Sequence, residues 1–381
     1  MTSTTEQAGQ MDMTTRQGAI IAHLTRAGHA RAEPPILQPA DVFLDLAGED
    51  IRARIFLTAG ADGEELCLRP EYTIPVSRAY LASPQAGSVA SFSYLGPVFR
   101  QRPGGPNEFV QAGIESFGRM DREAADAEIL TLALEAAQGA GCGSLKVSLG
   151  DAGLFTALLS ALDLPNAWVR RIRRGHMRSE NLGLLLAPAA HGAATDHSGV
   201  LAALEGVDKK GARALVEDLL SIAGISSVGG RSAGEIADRF LEQAAMKSSA
   251  GISAEKRAVL ERFLGVGGDP DKASAALRAL AQDAKLDLGA ALDAFDARLG
   301  FIAARGLDVS SLAFAANFGR NLDYYTGFVF EAHRPDGEPG RPVVGGGRYD
   351  GLLRRLGAAG DIPAVGAAIW CDRLFADGVK A

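Results

Sequence analysis

The sequence predicts an α+β fold in which an antiparallel sheet is flanked by helices and interrupted by a mainly helical insertion at about residues 165–305. Three observations carry that prediction. Strand-like runs in the first third are joined by short, turn-rich connections, as antiparallel hairpins are. The middle of the chain is alanine-rich, charged and helix-periodic, with almost no strand signal. Strand texture then returns at NLDYYTGFVFEAH, VVGGG and AVGAAIW. Antiparallel strands separated by helical excursions indicate α+β and not a parallel doubly wound sheet.

Element by element, residues 1–13 read as a mobile polar tail, and residues 14–381 as one core that the insertion interrupts. A first helix at residues 14–27 places Ile20, Ile21 and Leu24 on one face, and Gly28 stops it. The prolines of EPPILQP then exclude a helix. Strands at 53–58 and 65–68 are joined through Gly60-Ala61-Asp62-Gly63, and strands at 91–100 and 108–118 through the loop RPGGPN. Residues 122–137 are helical by composition. The run 144–150 alternates Leu145, Val147 and Leu149 as a half-buried strand does, and Asp151 is placed to cap a helix using Leu154, Leu158 and Leu162. In the insertion, Asp269 and Pro270 mark a helix start followed by Ala273, Leu277, Leu280 and Ala284. A helix at 349–356 and another from near Cys371 close the chain.

With 381 residues, 47% hydrophobic and 22% charged, the chain can bury a large core and is not disordered throughout. A net charge of -7 and a pI near 5.5 argue against a nucleic-acid surface and for small-molecule or protein partners. Cys67, Cys142 and Cys371 form neither a disulfide framework nor a CxxC pair, which fits a reducing cytoplasm. No leader with an apolar segment and no run of about 18 uncharged apolar residues is present, so export and membrane insertion are not expected. The six histidines contain no HxH or HExxH pair, and His191 and His197 read as incidental. Residues 343–349 have three consecutive glycines without Walker or dinucleotide spacing, and no nucleophile elbow occurs. No cofactor and no metal are expected.

Four patches carry the chemistry: LRPEYTIPVSR, PVFRQRPGGPNEFVQAGIESFG, GRNLDYYTGFVFE, and GGGRYDGLLRRLG through GAAIWCDRL. In the strand at 109–117, Gln111 and Glu115 share a face across Gly113, where a ligand can approach the backbone. Val110, Ala112 and Ile114 occupy the core-facing side. The polar face is then either solvated or a pocket. In the third patch Tyr325, Gly327, Val329 and Glu331 alternate with Tyr324, Thr326, Phe328 and Phe330. Arg320 precedes them, suited to a carboxylate or phosphate, or to a nearby side chain such as Asp323.

These four patches, in this order, resemble the histidyl-tRNA synthetase family of class II aminoacyl-tRNA synthetases, together with its paralogous branch, the regulatory subunits of ATP phosphoribosyltransferase. The likeness spans roughly residues 20–374. LRPEYT is similar to the family's LRPEGT, residues 97–118 resemble motif 2, LDYYTGFVFE resembles the histidine-specific signature, and GGGRYDGL through VGAAIWCDRL resembles the approach to motif 3. The resemblance implies a class II synthetase-like sheet and a histidine site. Glu71, Thr73 and Gln111 match residues that hold the amino group. Glu115 and Tyr325 match those recognising the imidazole, with Tyr324 and Tyr349 beside them. Arg320 matches the arginine facing the carboxylate side, and Arg100 the motif 2 arginine that in synthetases also touches the ATP α-phosphate.

The resemblance fails on the ATP side. Trp370 stands where the family has a small residue, so an indole is expected to fill the nucleotide space and leave Arg373 without its synthetase role. The motif 2 loop is short and lacks further basic residues after Arg102. The sequence stops eight residues after Arg373, so no anticodon-binding domain is expected. The chain is therefore expected to be a non-catalytic regulatory subunit, homodimeric through the motif 1-like PILQPADVFLDL. It would dock on the short-form catalytic subunit of ATP phosphoribosyltransferase within a hetero-oligomer and respond to L-histidine, without nucleic acid or membrane. The rivals are a truncated synthetase-like enzyme forming histidyl-adenylate and a scaffold with a vestigial pocket.

Overall fold

The computed structural model describes residues 12–46, 49–177, 252–320, 324–338 and 340–374, with scattered positions between 214 and 232. Helix α1 (Met13–Arg26) starts where the Asp12 carboxylate accepts the Thr15 N–H at 2.7 Å, and it buries Ile20 and Leu24. Strands β1 (Ala30–Arg31) and β2 (Leu37–Pro39) lead to helices α2 (Ala40–Leu46) and α3 (Glu49–Arg52), and then to β3 (Leu57–Ala59) and β4 (Glu65–Leu68). The strand predicted at 53–58 thus begins only at Leu57. Residues 49–52 are instead taken up by α3, and pairing with β4 covers only Leu57–Ala59.

Helix α4 (Thr73–Leu81) is followed by the long hairpin of β5 (Ala90–Phe99) and β6 (Glu108–Phe117), paired along its whole length. Next come α5 (Arg122–Gly139), β7 (Lys146–Asp151), α6 (Ala152–Ala161) and α7 (Asn166–Met177). Asp151 caps α6, accepting the N–H groups of Gly153 and Leu154. The short pair β8 (Ser227–Val228) and β9 (Arg231–Ser232) precedes α8 (Ala254–Leu264), β10 (Gly267–Gly268), α9 (Pro270–Asp283) and α10 (Gly289–Ala304). Asp269 caps α9 and Pro270 opens it, as the sequence predicts. The chain ends in β11 (Ala313–Ala315), β12 (Phe328–His333), β13 (Val344–Arg348), α11 (Leu352–Arg355) and β14 (Ala364–Trp370). The two closing helices are shorter than predicted: α11 is a single turn, and Cys371–Arg373 is a 3-10 turn.

Among the described residues, nine strands form one sheet in the order β1-β5-β6-β14-β13-β12-β7-β11-β10, and β2-β4-β3 form a small second one. The large sheet is mostly antiparallel but not wholly so. β1 runs parallel to β5, and β11 parallel to β7. Of the stretch read as a helical insertion, α8, α9 and α10 bury Leu260, Phe263, Leu277 and Phe295 in the same core as the sheet, and β10 extends its edge. Residues 178–213 and 233–251 lie outside the described residues, as do His191 and His197.

Side-chain alternation divides the sheet into two cores. One face, with Ala112, Ile114, Leu149, Phe328, Phe330 and Ile369, packs under α1, α5, α6 and α8 to α10. The other carries Tyr94, Phe117, Val329 and Trp370 and is covered by Phe43, Tyr72, Ile74, Tyr324 and Tyr349. A buried ionic chain ties the helical layer to the sheet. Asp126 of α5 binds Arg298 of α10 at 2.8 Å and Arg348 at the end of β13 at 2.6 Å, while Arg298 also reaches Asp151 at 2.7 Å. Arg348 holds Asp350 at 2.8 Å, so the segment carrying Tyr349 is fixed on both sides.

Candidate functional site

The second core encloses a chamber whose floor is β6, β14 and β13. Strand alternation puts Gln111, Gly113 and Glu115 of β6 on that face. The register sets Gly366 opposite Glu115, Ala368 opposite Gly113 and Trp370 opposite Gln111. Two glycines make the floor possible. A β-carbon on Gly366 would overlap the Glu115 carboxyl, and one on Gly113 would overlap the Tyr94 hydroxyl. The start of α4 supplies one wall with Glu71 and Thr73. The residues leading into β12 supply another with Tyr324 and Tyr325, and Arg320 and Tyr349 complete the chamber. Its empty space is about 390 Å3, including the part open to solvent.

The polar groups are mostly pre-arranged. Glu71 accepts the N–H groups of Thr73 at 2.7 Å and Ile74 at 2.9 Å, which caps α4 and fixes the carboxylate. The Thr73 hydroxyl donates to Glu115 at 2.8 Å, and the Tyr349 hydroxyl donates a short hydrogen bond to the other oxygen. Arg320 is buried; its Nε donates to Glu331 at 3.0 Å and its Nη1 to the Tyr325 hydroxyl at 2.8 Å. Arg100 donates to the Pro70 carbonyl at 2.6 Å from the chamber wall. The tyrosines pack on one another, Tyr324 edge-on to Tyr349 at 5.7 Å and Tyr72 stacked on Tyr94 at 4.3 Å.

The chamber is electrostatically unbalanced. Burial pushes the Glu115 carboxyl up to about 8, against the pull of the Tyr349 and Thr73 hydroxyls and with Glu71 adding to the rise. Burial also raises Glu71, although the Ile74 and Thr73 N–H groups and Arg100 oppose it. Arg320 is different: desolvation works to lower it, but Tyr325 and Glu331 outweigh that and hold it above its ordinary value. Two buried acids, one of them under the influence of Arg100, and a firmly charged Arg320 suit a ligand with donor groups at one end and a carboxylate at the other.

Eight of the nine residues proposed from sequence for a histidine site line this chamber: Glu71, Thr73, Arg100, Gln111, Arg320, Tyr324, Tyr325 and Tyr349. Glu115 lies directly beneath, bonded to two of them. Trp370 lines it as well, whereas Arg373 stands behind the indole, its guanidinium 4.7 Å from the ring centroid and bonded to the Pro342 carbonyl. Burial lowers Arg373 to about 10. Sequence reasoning missed Tyr94 and Glu331 as site residues. The hairpin register held the signal for Tyr94, since it faces Gly113 directly. Glu331 was visible only as part of a mixed strand face, and Asp323, the partner considered for Arg320, lies outside the described residues.

The family model for histidyl-tRNA synthetase matches residues 6–228 and 211–374. A protein of Mesorhizobium japonicum described as an ATP phosphoribosyltransferase regulatory subunit is 46% identical over 378 residues, covering 96% of this chain and 98% of the relative. The chain belongs to the ATP phosphoribosyltransferase regulatory subunit family. A family member from Brucella ovis is 42% identical over 348 residues, covering 90% of this chain and 92% of its own.

Solved structures share the synthetase-like fold of this chain. One from Bacillus halodurans, described as an ATP phosphoribosyltransferase regulatory subunit/histidyl-tRNA synthetase, aligns with a TM-score of 0.66 at 22% identity over 98% of this chain and 83% of that one. The histidyl-tRNA synthetase of a Nostoc species aligns with a TM-score of 0.61 at 16% identity, over 98% and 75% of the two chains. This chain therefore has the class II synthetase-like α+β architecture. No helix among the described residues is long and apolar enough to cross a membrane.

Proposed function

We propose that the chain is a cytoplasmic, non-catalytic regulatory subunit of ATP phosphoribosyltransferase that binds L-histidine in this chamber and feeds that signal back on the first step of histidine biosynthesis. The observation that carries the proposal is the pairing of an acceptor-rich end, Glu71, Thr73 and Gln111 with Glu115 directly beneath, with Arg320 around one chamber. The ammonium is assigned to Glu71, Thr73 and Gln111, the imidazole to Glu115, Tyr325 and Tyr349, with Tyr324 packed beside them, and the carboxylate to the side of Arg320 and Arg100.

Trp370 supports the non-catalytic part of the proposal. Its indole occupies the end of β14 between the chamber and Arg373, where an adenylate would need open backbone, so the blocked ATP site is assigned to Trp370 and Arg373. Regulation needs no chemistry in this subunit, only a difference in histidine affinity between two states of the assembly. The partner is the short-form catalytic subunit, docked on a homodimer of this chain built through residues 35–46.

The test is to mix the purified chain with the catalytic subunit and follow turnover against L-histidine. Higher activity with the chain present, inhibited by histidine, is expected; no effect on either quantity refutes the proposal. Histidine-dependent exchange of pyrophosphate into ATP by the chain alone would instead mark a truncated synthetase.

A further inference from the structure

Two buried polar side-chain atoms in the chamber have no hydrogen-bond partner among the described residues: the carbonyl oxygen of Gln111 and the indole nitrogen of Trp370. They belong to register partners on adjacent strands, so they rise from the same face of the sheet next to each other. Gln111 is 1% exposed and Trp370 is 6% exposed. Leaving such groups unpaired costs free energy, and among the described residues with an unpartnered buried side-chain atom these are the two that line the chamber. One is an acceptor and the other a donor. A single ligand satisfies both if it carries a donor and an acceptor a few bonds apart.

The indole is also fixed. Two guanidinium groups approach its ring, Arg320 at 5.8 Å and Arg373 at 4.7 Å from the centroid, and the side chain is buried, so its edge is positioned without ordering a mobile side chain. Arg320 bonds Glu331 and Tyr325 through Nε and Nη1, which leaves Nη2 outside both bonds and beside Gly345, another chamber residue. A carboxylate placed here would meet a charged donor from Arg320 and a neutral donor from Trp370.

We infer that Trp370 is a ligand-contacting, specificity-determining residue: its indole N–H donates to the carboxylate of a free α-amino acid whose ammonium is received by Gln111. The inference rests on the chamber being an amino-acid site, and it adds a second role to the residue that fills the nucleotide side. The substitution that closes one half-site completes the other. It also sets what is rejected, because a histidine analogue lacking the carboxylate leaves the indole N–H unpaired.

The test is calorimetric titration of the intact chain and of Trp370→Phe with L-histidine and with histamine. Phenylalanine keeps an aromatic ring but loses the donor together with the volume of the second ring, and histamine, which meets the same lost volume without a carboxylate, reports that packing loss separately. The expected result is about tenfold weaker L-histidine binding in the variant, with histamine binding unchanged. Equal L-histidine affinity in both proteins overturns the inference while leaving the amino-acid site standing. Absence of L-histidine binding to the unaltered chain overturns the site and the inference together.

Should Trp370→Phe fail to fold, Trp168→Phe serves in its place, since it leaves Trp370 as the sole indole of a chain with two tryptophans. There, L-histidine should shift the indole emission and saturating histamine should not. An identical shift with both ligands, or none with L-histidine that calorimetry shows to be bound, overturns the inference.

Discussion

Replacing Glu115 by glutamine removes a buried titratable group while nearly preserving shape, and the structure gives the sign and rough size of the effect. Glu115 is fully buried, and its neighbours in the chamber are hydroxyls and a second acid. Its carboxyl is raised from 4.5 to about 8, chiefly by desolvation. A folded-state value above the unfolded one means that the stability linked to this group is fully present below about 4.5 and is lost as pH rises through about 8. At about 1.36 kcal/mol per unit, the wild-type chain should lose on the order of 2 kcal/mol between pH 6 and pH 8 from this group alone. Glu71, also raised by burial, adds a loss of the same sign.

In Glu115→Gln the first contribution disappears. Urea unfolding at pH 6 and pH 8 should show a smaller loss of stability with pH in the variant than in the wild type, by about 2 kcal/mol. The same variant should bind L-histidine tens of times more weakly at pH 8, where the carboxyl can ionise against the ligand and an amide cannot. Identical pH profiles for the two proteins would refute the picture of a buried carboxyl awaiting a ligand.

Gly366→Ala should keep the fold at a cost of about 1–3 kcal/mol and abolish L-histidine binding, since the new methyl takes the place of the Glu115 carboxyl; thermal melting with calorimetry checks both halves. Asp126→Ala should lower stability to urea by about 3 kcal/mol, leaving Arg298 with only Asp151 and Arg348 with Asp350; a change below about 0.5 kcal/mol would show that the buried ionic chain does not hold the layers together.

The parts of the fold legible in the sequence are those specified locally. The β5–β6 hairpin declares itself through RPGGPN and the alternation on either side, while α6 and α9 announce their starts through Asp151 and Asp269. The parallel edge pairings were illegible because β1 has two residues and β11 three, too few for a period to register. The ionic chain was illegible for a different reason: Arg298 and Arg348 lie 172 and 222 residues from Asp126, and no local rule joins them.

Within the site, period-two alternation placed Gln111 and Glu115 on one face, but only the packing of α4 and the tyrosines over that face made it a chamber instead of a solvated surface. Arg320 was visible as a free cation candidate, and Glu331 as its partner was not. Trp370 could be read as bulk at the end of a strand; its place beside two guanidinium groups, with an unpaired N–H beside Gln111, needed coordinates.

A calorimetric titration of the wild-type chain with L-histidine, repeated with saturating magnesium ATP, tests the central claim most directly. One saturable histidine site per chain, with the same affinity in both titrations, is the predicted result. Binding of histidine that tightens when ATP is present would mean that the nucleotide half of the site is open, and would contradict the account.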